Sequence, residues 1–486
     1  MKPVIIIFLM TILALTANGQ QTFELIIEDT LDQMPNSIIE KDDYYIISSI
    51  FGMYSSMGIQ SQLFKIDKQG RIVLTKVVKP ETYEFLLTNI ISNTNGRFTG
   101  FGFQKVAEDS AACFTILEMD DDFSIFTEKN FQTDFHFLEY INVEKYNDYY
   151  LVIGSGKYTS YPLYHLFSYK TNFSFDTLIS KVYPEEGTNL AFDLIPTLNG
   201  DNFKIFTRGY NQQTNAMGQI IRLDKLLNMV EYTAIPENVF SYNDAIYIDE
   251  SHYLLSGKVD IFDNGRSGSK LALMLMDTTD VLQDIGFLGA PDTTNYPGFY
   301  SNLDFSNSEN IFYAGIKNLA FGYFIPGSSW FFLNKLNSNL EVQWQKFYGG
   351  DANYNVWNLI ATDDGGCLMA GTRYDYITQT NLRDVYILKV NSEGIVTGFG
   401  DEPSQIPFTD AIVYPNPGST YLKVESGPQI DGALFEMFDM SGKAVFRVKL
   451  RNRLQEINTS SFLKGTYTYR ISYENQLVTS GKWLKN

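Results

Sequence analysis

The sequence predicts an all-β protein, a seven-bladed β-propeller followed by a small C-terminal β-sandwich. Short apolar strands recur along residues 20–399 at a mean period of 54 residues. The chain of 486 residues is also 15% aromatic, which favours strands over helices. Residues 412–486 depart from the repeat and carry turn and strand signals of their own. These three observations predict the fold class and the order of the domains.

Each repeat holds an apolar strand, a loop, a second strand that ends in Asp, Asn or Lys, a turn and another strand. One more apolar strand precedes each group, so a repeat contains four strands, as a propeller blade does. Six or eight blades are the alternatives to seven. We expect the abundant Phe and Tyr side chains to fill the wedge-shaped gaps between blades. With that preceding strand counted, the strand that ends in a polar residue is the third of four. These third strands end at Asp67, Asp120, Lys170, Asp224, Asp277, Asn337 and Asn391.

Two further expectations concern how the ring closes and how its cysteines are used. The strand-like segment from Thr22 to Ile27 has no blade partners nearby, so we expect it to complete the last blade beside residues 387–396. Cys113 and Cys367 lie in strand-like runs far apart in the chain, and they are expected to be buried thiols rather than a disulfide.

The N-terminus has the pattern of a secretory signal peptide over residues 1–19. Lys2 precedes an apolar run from Val4 to Leu15 that is interrupted only by Thr11, and small and polar residues follow it as far as Gln20. This run is too short to cross a bilayer, and no other segment is apolar enough to do so. We therefore predict export, with cleavage near Gly19 and no transmembrane segment in the mature protein.

Charge divides the remaining chain into two parts. The formal net charge is −19, but residues 412–486 hold ten Lys and Arg against six Asp and Glu, which is +4. Residues 20–411, the propeller with its linker at 400–411, therefore carry −24. Such an acidic surface argues against a nucleic-acid partner, which requires clustered Lys and Arg.

No catalytic motif was found in the sequence. It lacks His-Glu-x-x-His, Gly-x-Ser-x-Gly, the P-loop and Gly-x-Gly-x-x-Gly motifs, and the Asp box of sialidase propellers. We predict no cofactor and no metal site, with one weak calcium candidate in a loop that contains Asp260, Asp263, Asn264 and Gly265.

The long loops fall between the same two strands of their repeats, so they are predicted to emerge from one face of the ring. Aromatic side chains on these loops suit contact with a protein or a glycan, and they could equally cover the apolar ends of the blades. We predict a noncatalytic binding or adhesion protein, the alternative being a polysaccharide lyase or glycosidase. The candidate binding residues are Tyr158, Tyr161, Phe262, Phe321, Tyr323, Tyr374 and Tyr376.

The best-preserved repeat resembles that of secreted bacterial propellers. Residues 340–400 contain Trp-x-Lys-like and Gly-Gly segments, then Thr-Asp-Asp-Gly-Gly, Ala-Gly and Asp-x-x-Leu-x-Lys-like segments. The earlier repeats match in strand order and spacing alone. This resemblance implies architecture and no ligand.

A second resemblance covers residues 412–486. Three motifs occur in order: a Tyr-Pro-Asn-Pro opening, an Asp-x-x-Gly turn, and a Leu-x-x-Gly-x-Tyr strand near a basic end. The segment is similar to the C-terminal sorting domain of proteins exported by the type IX secretion system of Bacteroidetes. The resemblance implies contact with that secretion machinery, passage across the outer membrane, and a secreted or cell-surface location. The motif residues are Tyr414, Pro415, Asn416, Pro417, Asp439, Gly442, Lys443, Gly465, Tyr467 and Lys482.

We expect the exported protein to begin near Gln20, which intact-mass measurement of the secreted chain will show. Replacing Gly19 with Leu should slow this cleavage, because the peptidase requires small residues at the exit. Ala14→Leu, within the apolar run, is the control and should be cleaved normally. An exported protein that retains Met1 would contradict the assignment.

Overall fold

The computed structural model describes residues 21–396 and 411–486 apart from short loop segments, the longest being 159–163, 184–189, 320–325 and 427–431. Within these residues the strands form seven antiparallel blades and two C-terminal sheets. The predicted signal peptide at 1–19 and residues 400–410 of the predicted linker lie outside the described residues.

Blades 1 to 4 each consist of four consecutive strands. Blade 1 contains β2 (Gln33–Glu40), β3 (Tyr44–Phe51), β4 (Gln60–Asp67) and β5 (Ile72–Val78). Blade 2 contains β6 (Glu84–Ser92), β7 (Phe98–Lys105), β8 (Cys113–Met119) and β9 (Ile125–Gln132). Blade 3 contains β10 (Phe137–Tyr146), β11 (Tyr149–Lys157), β12 (Tyr164–Asn172) and β13 (Thr177–Val182). Blade 4 contains β14 (Leu190–Pro196), β15 (Asn202–Asn211), β16 (Ala216–Asp224) and β17 (Met229–Ala234).

The last three blades vary this plan. Blade 5 contains β18 (Ala245–Tyr247), β19 (His252–Asp263), β20 (Arg266–Asp277) and β21 (Leu282–Leu288). In blade 6 the first position is split into β22 (Asn295–Pro297) and β23 (Leu303–Asn307), which both pair with β24 (Asn310–Lys317), followed by β25 (Trp330–Leu336) and β26 (Val342–Gly349). Blade 7 contains β27 (Asn353–Ala361), β28 (Cys367–Tyr374), β29 (Arg383–Val390) and the N-terminal strand β1 (Phe23–Ile27).

The ring is closed by the two ends of the propeller. β1 pairs antiparallel with β29, from Phe23 opposite Lys389 to Ile27 opposite Val385. This confirms the predicted role of the N-terminal strand. The first strands of neighbouring blades contact one another, and β2 of blade 1 contacts β27 of blade 7. The first strands are therefore the innermost ones, and the last strands lie on the perimeter.

Apolar side chains fill the junctions between blades. Within the described residues, seven buried hydrophobic clusters each join two neighbouring blades, and together they cover every junction of the ring. Aromatic pairs cross several junctions, such as Phe101 with Tyr150 at 5.1 Å and Phe206 with Tyr253 at 5.8 Å between ring centroids. The aromatic surplus therefore fills gaps between sheets, as predicted. Cys113 and Cys367 are buried free thiols.

The polar residue that ends the third strand of each blade builds the same turn seven times. Its side-chain oxygen accepts the backbone N–H groups two and four residues later, as Asp67 does from Gln69 and Arg71. The residue three positions on has positive φ in each turn, as at Gly70, at +84°. In blade 3 the turn residue is Asn172 and not Lys170 as predicted, because Asn172 is the residue that accepts from Ser174 and Asp176.

Blade 5 departs from the others at the positive-φ position of this turn. Blades 2, 3, 4 and 6 place a buried apolar side chain there, Leu227 in blade 4 for example. Blade 5 has Asp280, which forms ion pairs with Lys204 and Arg222 of blade 4 and accepts a hydrogen bond from Tyr253. Lys204 in turn occupies a strand position that is apolar in most blades, and its ammonium group is fully buried. The two changes are complementary, a buried ion pair in place of apolar packing.

The C-terminal domain is a small sandwich of two sheets, as predicted. One sheet has the strand order β30 (Ala411–Tyr414), β31 (Tyr421–Ser426) and β34 (Leu454–Asn458). The other has the order β33 (Ala444–Lys449), β32 (Leu434–Phe438), β35 (Gly465–Tyr473) and β36 (Gln476–Lys485). Leu422 and Val424 of the first sheet share one buried cluster with Phe435, Met437 and Ile471 of the second.

We expect Asp280→Leu to destabilise the propeller by about 3 to 5 kcal/mol, because Lys204 stays buried without its carboxylate. The double variant Lys204→Leu with Asp280→Leu should recover most of that loss, since Leu227 and Leu340 already occupy the same turn position. Denaturant unfolding of the full chain measures both. The control is Asp121→Leu, in the corresponding turn of blade 2, whose exposed carboxylate should contribute less than about 1 kcal/mol. A double variant no more stable than Asp280→Leu would refute the pairing.

Candidate functional site

The face of the ring that carries the long loops, here called the loop face, lies where the second strand of each blade ends and the first strand begins. β10 shows this arrangement, since Phe137 at its start pairs with Lys157 at the end of β11. The loops between second and third strands emerge there in the described blades, as predicted. One segment differs: residues 260–263 pair with residues 266–269 as part of a long hairpin, with Asp263 opposite Arg266.

The structure separates the predicted loop-face aromatics into three groups. Tyr158 is half-buried and packs on Phe135 at 4.7 Å and on His165 at 4.9 Å between centroids. The Tyr376 hydroxyl lies 3.0 Å from that of Ser328, which links the loops of blades 7 and 6. Tyr374 is a correction: it ends β28 and is 4% exposed, so its ring belongs to the blade and is not presented to a ligand. The side chains of Tyr161, Phe262, Phe321 and Tyr323 lie outside the described residues.

A surface at blades 2 and 3 was missed by the sequence analysis. Phe137, at the start of β10, is 47% exposed, and the Lys105 ammonium lies 5.2 Å from its ring centroid. Val106, the next residue after Lys105, is 71% exposed. Tyr158 lies at the same end of blade 3. An aromatic ring with an adjacent cation and apolar neighbours suits contact with a glycan or a protein.

A second group, here called the axial belt, occupies one level of the innermost strands. In each blade one polar residue of the first strand lies opposite the second strand. The position that it faces on the second strand is equivalent in all seven blades. Six of the seven are Asn or Asp. The members are Ser37, Asn89, Asn142, Asp193, Asp244, Asn302 and Asn358.

The two carboxylates of the axial belt join neighbouring blades. Asp193 accepts hydrogen bonds from the Asn142 amide of blade 3 at 2.7 Å and from the Ala245 N–H of blade 5 at 2.6 Å. Asp244 accepts the backbone N–H groups of Asn302 and Leu303 in blade 6, at 2.6 and 2.8 Å. These groups therefore satisfy backbone donors of the next blade, which a buried strand edge requires.

Burial and mutual repulsion hold the protons on these carboxyls more tightly than usual. Desolvation and the nearby Asp244 carboxylate raise the pKa of Asp193 well above its ordinary value. Burial raises the pKa of Asp244 to about 7, against the opposing effect of its backbone hydrogen bonds. Two adjacent carboxyls in one buried belt therefore tend to keep a proton near neutral pH.

Two further carboxyls lie on the innermost strands, two residues after the axial-belt residue of their blade. The other blades have Ile at this position. Glu144 of blade 3 and Asp304 of blade 6 occur where the other five blades have Ile39, Ile91, Ile195, Ile246 and Ile360. Burial raises the pKa of Glu144 to about 7 and that of Asp304 to about 6. Asp304 accepts the Ala361 N–H of blade 7 at 2.8 Å, so it too joins two blades.

The axial belt has a signal in the sequence. Each member begins a polar, aliphatic, Ile-or-acid triplet, such as Ser37-Ile38-Ile39 or Asp193-Leu194-Ile195. The turns that follow the third strands mark the repeat more strongly than this triplet in the first strand does, so a repeat aligned on those turns does not reveal the belt.

The histidines and acidic groups of the described residues do not assemble a metal centre. No group of three or more His, Cys, Asp or Glu side chains there is arranged to hold an ion. Asp260, from the calcium candidate, pairs with Lys258 at 2.6 Å, and Asn264 and Gly265 lie outside the described residues. His252 contacts Asp249 at 3.1 Å, far along the chain from His165 in its aromatic cluster.

In the C-terminal domain the opening motif contacts the closing strand. The Trp483 indole N–H donates to the Pro415 carbonyl at 2.7 Å, and the Asn416 amide donates to the Lys482 carbonyl at 2.8 Å. A Cβ on Gly418 would lie 2.7 Å from the Trp483 ring, so that position requires glycine. The domain is thus completed only when its first and last segments meet.

The other two motifs form a turn and a packing contact. The Asp439 carboxylate accepts the backbone N–H groups of Ser441 and Lys443, while Gly442 has a φ of +81°. Gly465 starts β35, and the Tyr467 hydroxyl donates to the Leu463 carbonyl at 2.7 Å. All three predicted motifs are therefore part of one folded unit.

Solved structures similar to this chain have low sequence identity to it. An α-L-arabinofuranosidase from Fusarium graminearum is 10% identical, with a TM-score of 0.41 over 65% of this chain and 94% of that one. Hydrazine synthase of Kuenenia stuttgartiensis is 10% identical, with a TM-score of 0.43 over 73% of this chain and 95% of that one. Similarity at this level carries no activity over to this chain. No curated protein matches its sequence.

The raised pKa of Asp244 predicts a pH-dependent stability. The carboxyl titrates near 4 in an unfolded chain and near 7 in the fold, so its stabilisation is complete below about pH 4 and is lost as the pH rises through 7. Relative to wild type, Asp244→Asn should therefore gain up to about 4 kcal/mol between pH 4 and 8. Denaturant unfolding of both proteins measures this difference. Asp42→Asn, at an exposed turn, should show no comparable trend, and a flat difference for Asp244→Asn would contradict the assignment.

The family described as "Secretion system C-terminal sorting domain" matches residues 412–486. The match covers the whole sandwich and the three motifs that meet within it. Among the described residues no helix is long and apolar enough to span a membrane. The chain is therefore a β-propeller protein with a type IX secretion C-terminal sorting domain, which directs it across the outer membrane to the cell surface or the medium.

Proposed function

We propose that the propeller is a noncatalytic recognition module, and that its loop face binds a glycan or a protein outside the cell. One observation carries this proposal: the axial-belt carboxylates are hydrogen-bonded to backbone N–H groups of the next blade, and so serve the ring. An acid or base for hydrolysis would have to reach a substrate instead.

The binding residues that we propose are those of the surface at blades 2 and 3. Phe137 and Val106 are exposed, whereas Lys105 is only 4% exposed and its ammonium lies against the Phe137 ring, which it helps to hold in place. Tyr158 lies at the same end of blade 3 and packs on the buried Phe135, while Phe137 packs edge-on against its neighbour His136 at 4.7 Å between centroids. Exposed aromatic anchors supported by a buried neighbour are typical of positions that dominate binding energy.

Glu144 favours the second candidate, a polysaccharide lyase or glycosidase. A carboxyl with a pKa of about 7 is suited to donate a proton near neutral pH, and Asp304 lies at the same level of the inner strands. This reading requires that a substrate reach the innermost strands.

We expect the secreted full-length protein to bind members of a glycan array or extracellular proteins, and Phe137→Ala to weaken that binding about tenfold or more. Phe126→Ala is the matched control, because Phe126 is also 47% exposed and stacks with Arg97 at 4.4 Å, but lies on the perimeter strand β9. That variant should bind like wild type. Equal losses in both variants would refute the assigned surface.

The enzyme alternative is tested in parallel by assaying release of reducing or unsaturated sugar from polysaccharides. The proposal predicts no turnover. If the wild-type protein releases sugar, and Glu144→Gln abolishes that activity while thermal unfolding shows an intact fold, the protein is an enzyme and the binding proposal is wrong.

A further inference from the structure

We propose that the outer face of the four-stranded sheet of the sorting domain is the surface that docks on the secretion machinery, and that the docking partner there is an acidic protein surface. The inference rests on the assignment of residues 412–486 as a sorting domain. It adds which face of that domain is used and by what chemistry.

The face is defined by alternation along β32. Phe435 and Met437 are fully buried between the sheets, so Glu436 points to the opposite, outer side. The register places Arg447 of β33 on one side of Glu436 and Arg470 of β35 on the other. Lys449 lies two residues along β33 from Arg447, and Lys482 of β36 pairs with Thr468, two residues from Arg470. We call these four basic residues with Glu436 the basic face.

Its one carboxylate is already neutralised. Glu436 forms ion pairs with Arg447 at 2.7 Å and with Arg470 at 2.6 Å, and its side chain is only 3% exposed. The two arginine side chains are 61% and 51% exposed. Both guanidinium groups are therefore held in place by Glu436 while much of their surface stays open to a partner, which lowers the entropy cost of binding.

The apolar side chains on this face also favour a protein as the partner. Val445 and Leu484 lie on the same side by alternation, and they are 38% and 40% exposed. Planar guanidinium groups match carboxylates in paired hydrogen bonds, and an apolar margin suits protein contact. Charge complementarity with the four basic side chains calls for Asp and Glu on the partner.

The basic face is also placed away from the propeller, which is the acidic part of this same chain. Among the described residues, Tyr414 of the sorting domain contacts Trp330 of the propeller, with 5.5 Å between the ring centroids. Tyr414 belongs to β30, in the other sheet of the sandwich. The basic face lies on the opposite layer and remains accessible to an external partner.

The test reverses charge on this face in the full-length chain within its native host. Lys449→Glu with Lys482→Glu should lower the fraction secreted by about tenfold or more, with accumulation in the periplasm. The matched control is Lys423→Glu with Lys464→Glu, which changes the net charge equally but at β31 of the other sheet and at an exposed turn. The control should be secreted within about twofold of wild type.

Folding is checked separately. Lys449→Arg with Lys482→Arg should be secreted normally, and Lys449→Gln with Lys482→Gln should show an intermediate loss at an unchanged unfolding temperature. Equal secretion of the charge-reversed pair and the control pair would overturn the proposal, because charge position would then be irrelevant.

Two further results distinguish failure of the proposed protein contact from failure of the sorting-domain assignment. If deletion of residues 412–486 leaves secretion intact, the sorting function itself fails. If the charge-reversed pair is secreted normally but loses binding to phosphatidylglycerol vesicles, the partner is an anionic lipid surface and the protein partner is refuted.

Discussion

Pairing of β1 with β29 is the constraint on which the propeller depends. It joins segments more than 350 residues apart, and two polar contacts support it across the junction of blades 7 and 1. Arg383 donates to the Asp32 carboxylate at 2.8 Å in a buried ion pair, and the Asp363 N–H donates to Glu40 at 3.0 Å. Without this closure the apolar clusters at that junction would face water, and two sheet edges would be open to other chains.

Once the ring is closed, each junction combines apolar packing with a small number of directed polar contacts. The hydrophobic clusters supply most of the stabilisation, because burial of Phe, Tyr, Leu and Ile side chains removes large areas from water. The polar contacts of Asp193, Asp244 and Asp304 satisfy inner-strand donors and link blades 4, 5, 6 and 7 in sequence. The pair of Lys204 and Asp280 shows that one junction tolerates a buried charge in place of apolar contact.

Much of this fold could be predicted from the sequence because its turns are chemically marked. Asp67, Asp277 and their counterparts end strands at a regular spacing, since Asp and Asn side chains bridge two backbone N–H groups in that turn. In blade 3 the turn residue was predicted at Lys170 instead of Asn172, because the two residues before Asn172 are also polar. The loop face was harder to predict: Tyr374 is aromatic and near a loop, yet it is buried, and Phe137 is exposed at a strand start. Side-chain exposure at a strand end depends on neighbouring blades, which a single strand pattern does not contain.

The order of strands along the chain also affects export. β29, the last strand needed for closure, precedes the sorting domain, so any chain that carries this domain has already been synthesised through its final blade. A product that ends before β29 would lack both the partner of β1 and the sorting domain, and it would not be directed across the outer membrane. The position of the sorting domain thus couples passage across the outer membrane to complete synthesis of the propeller.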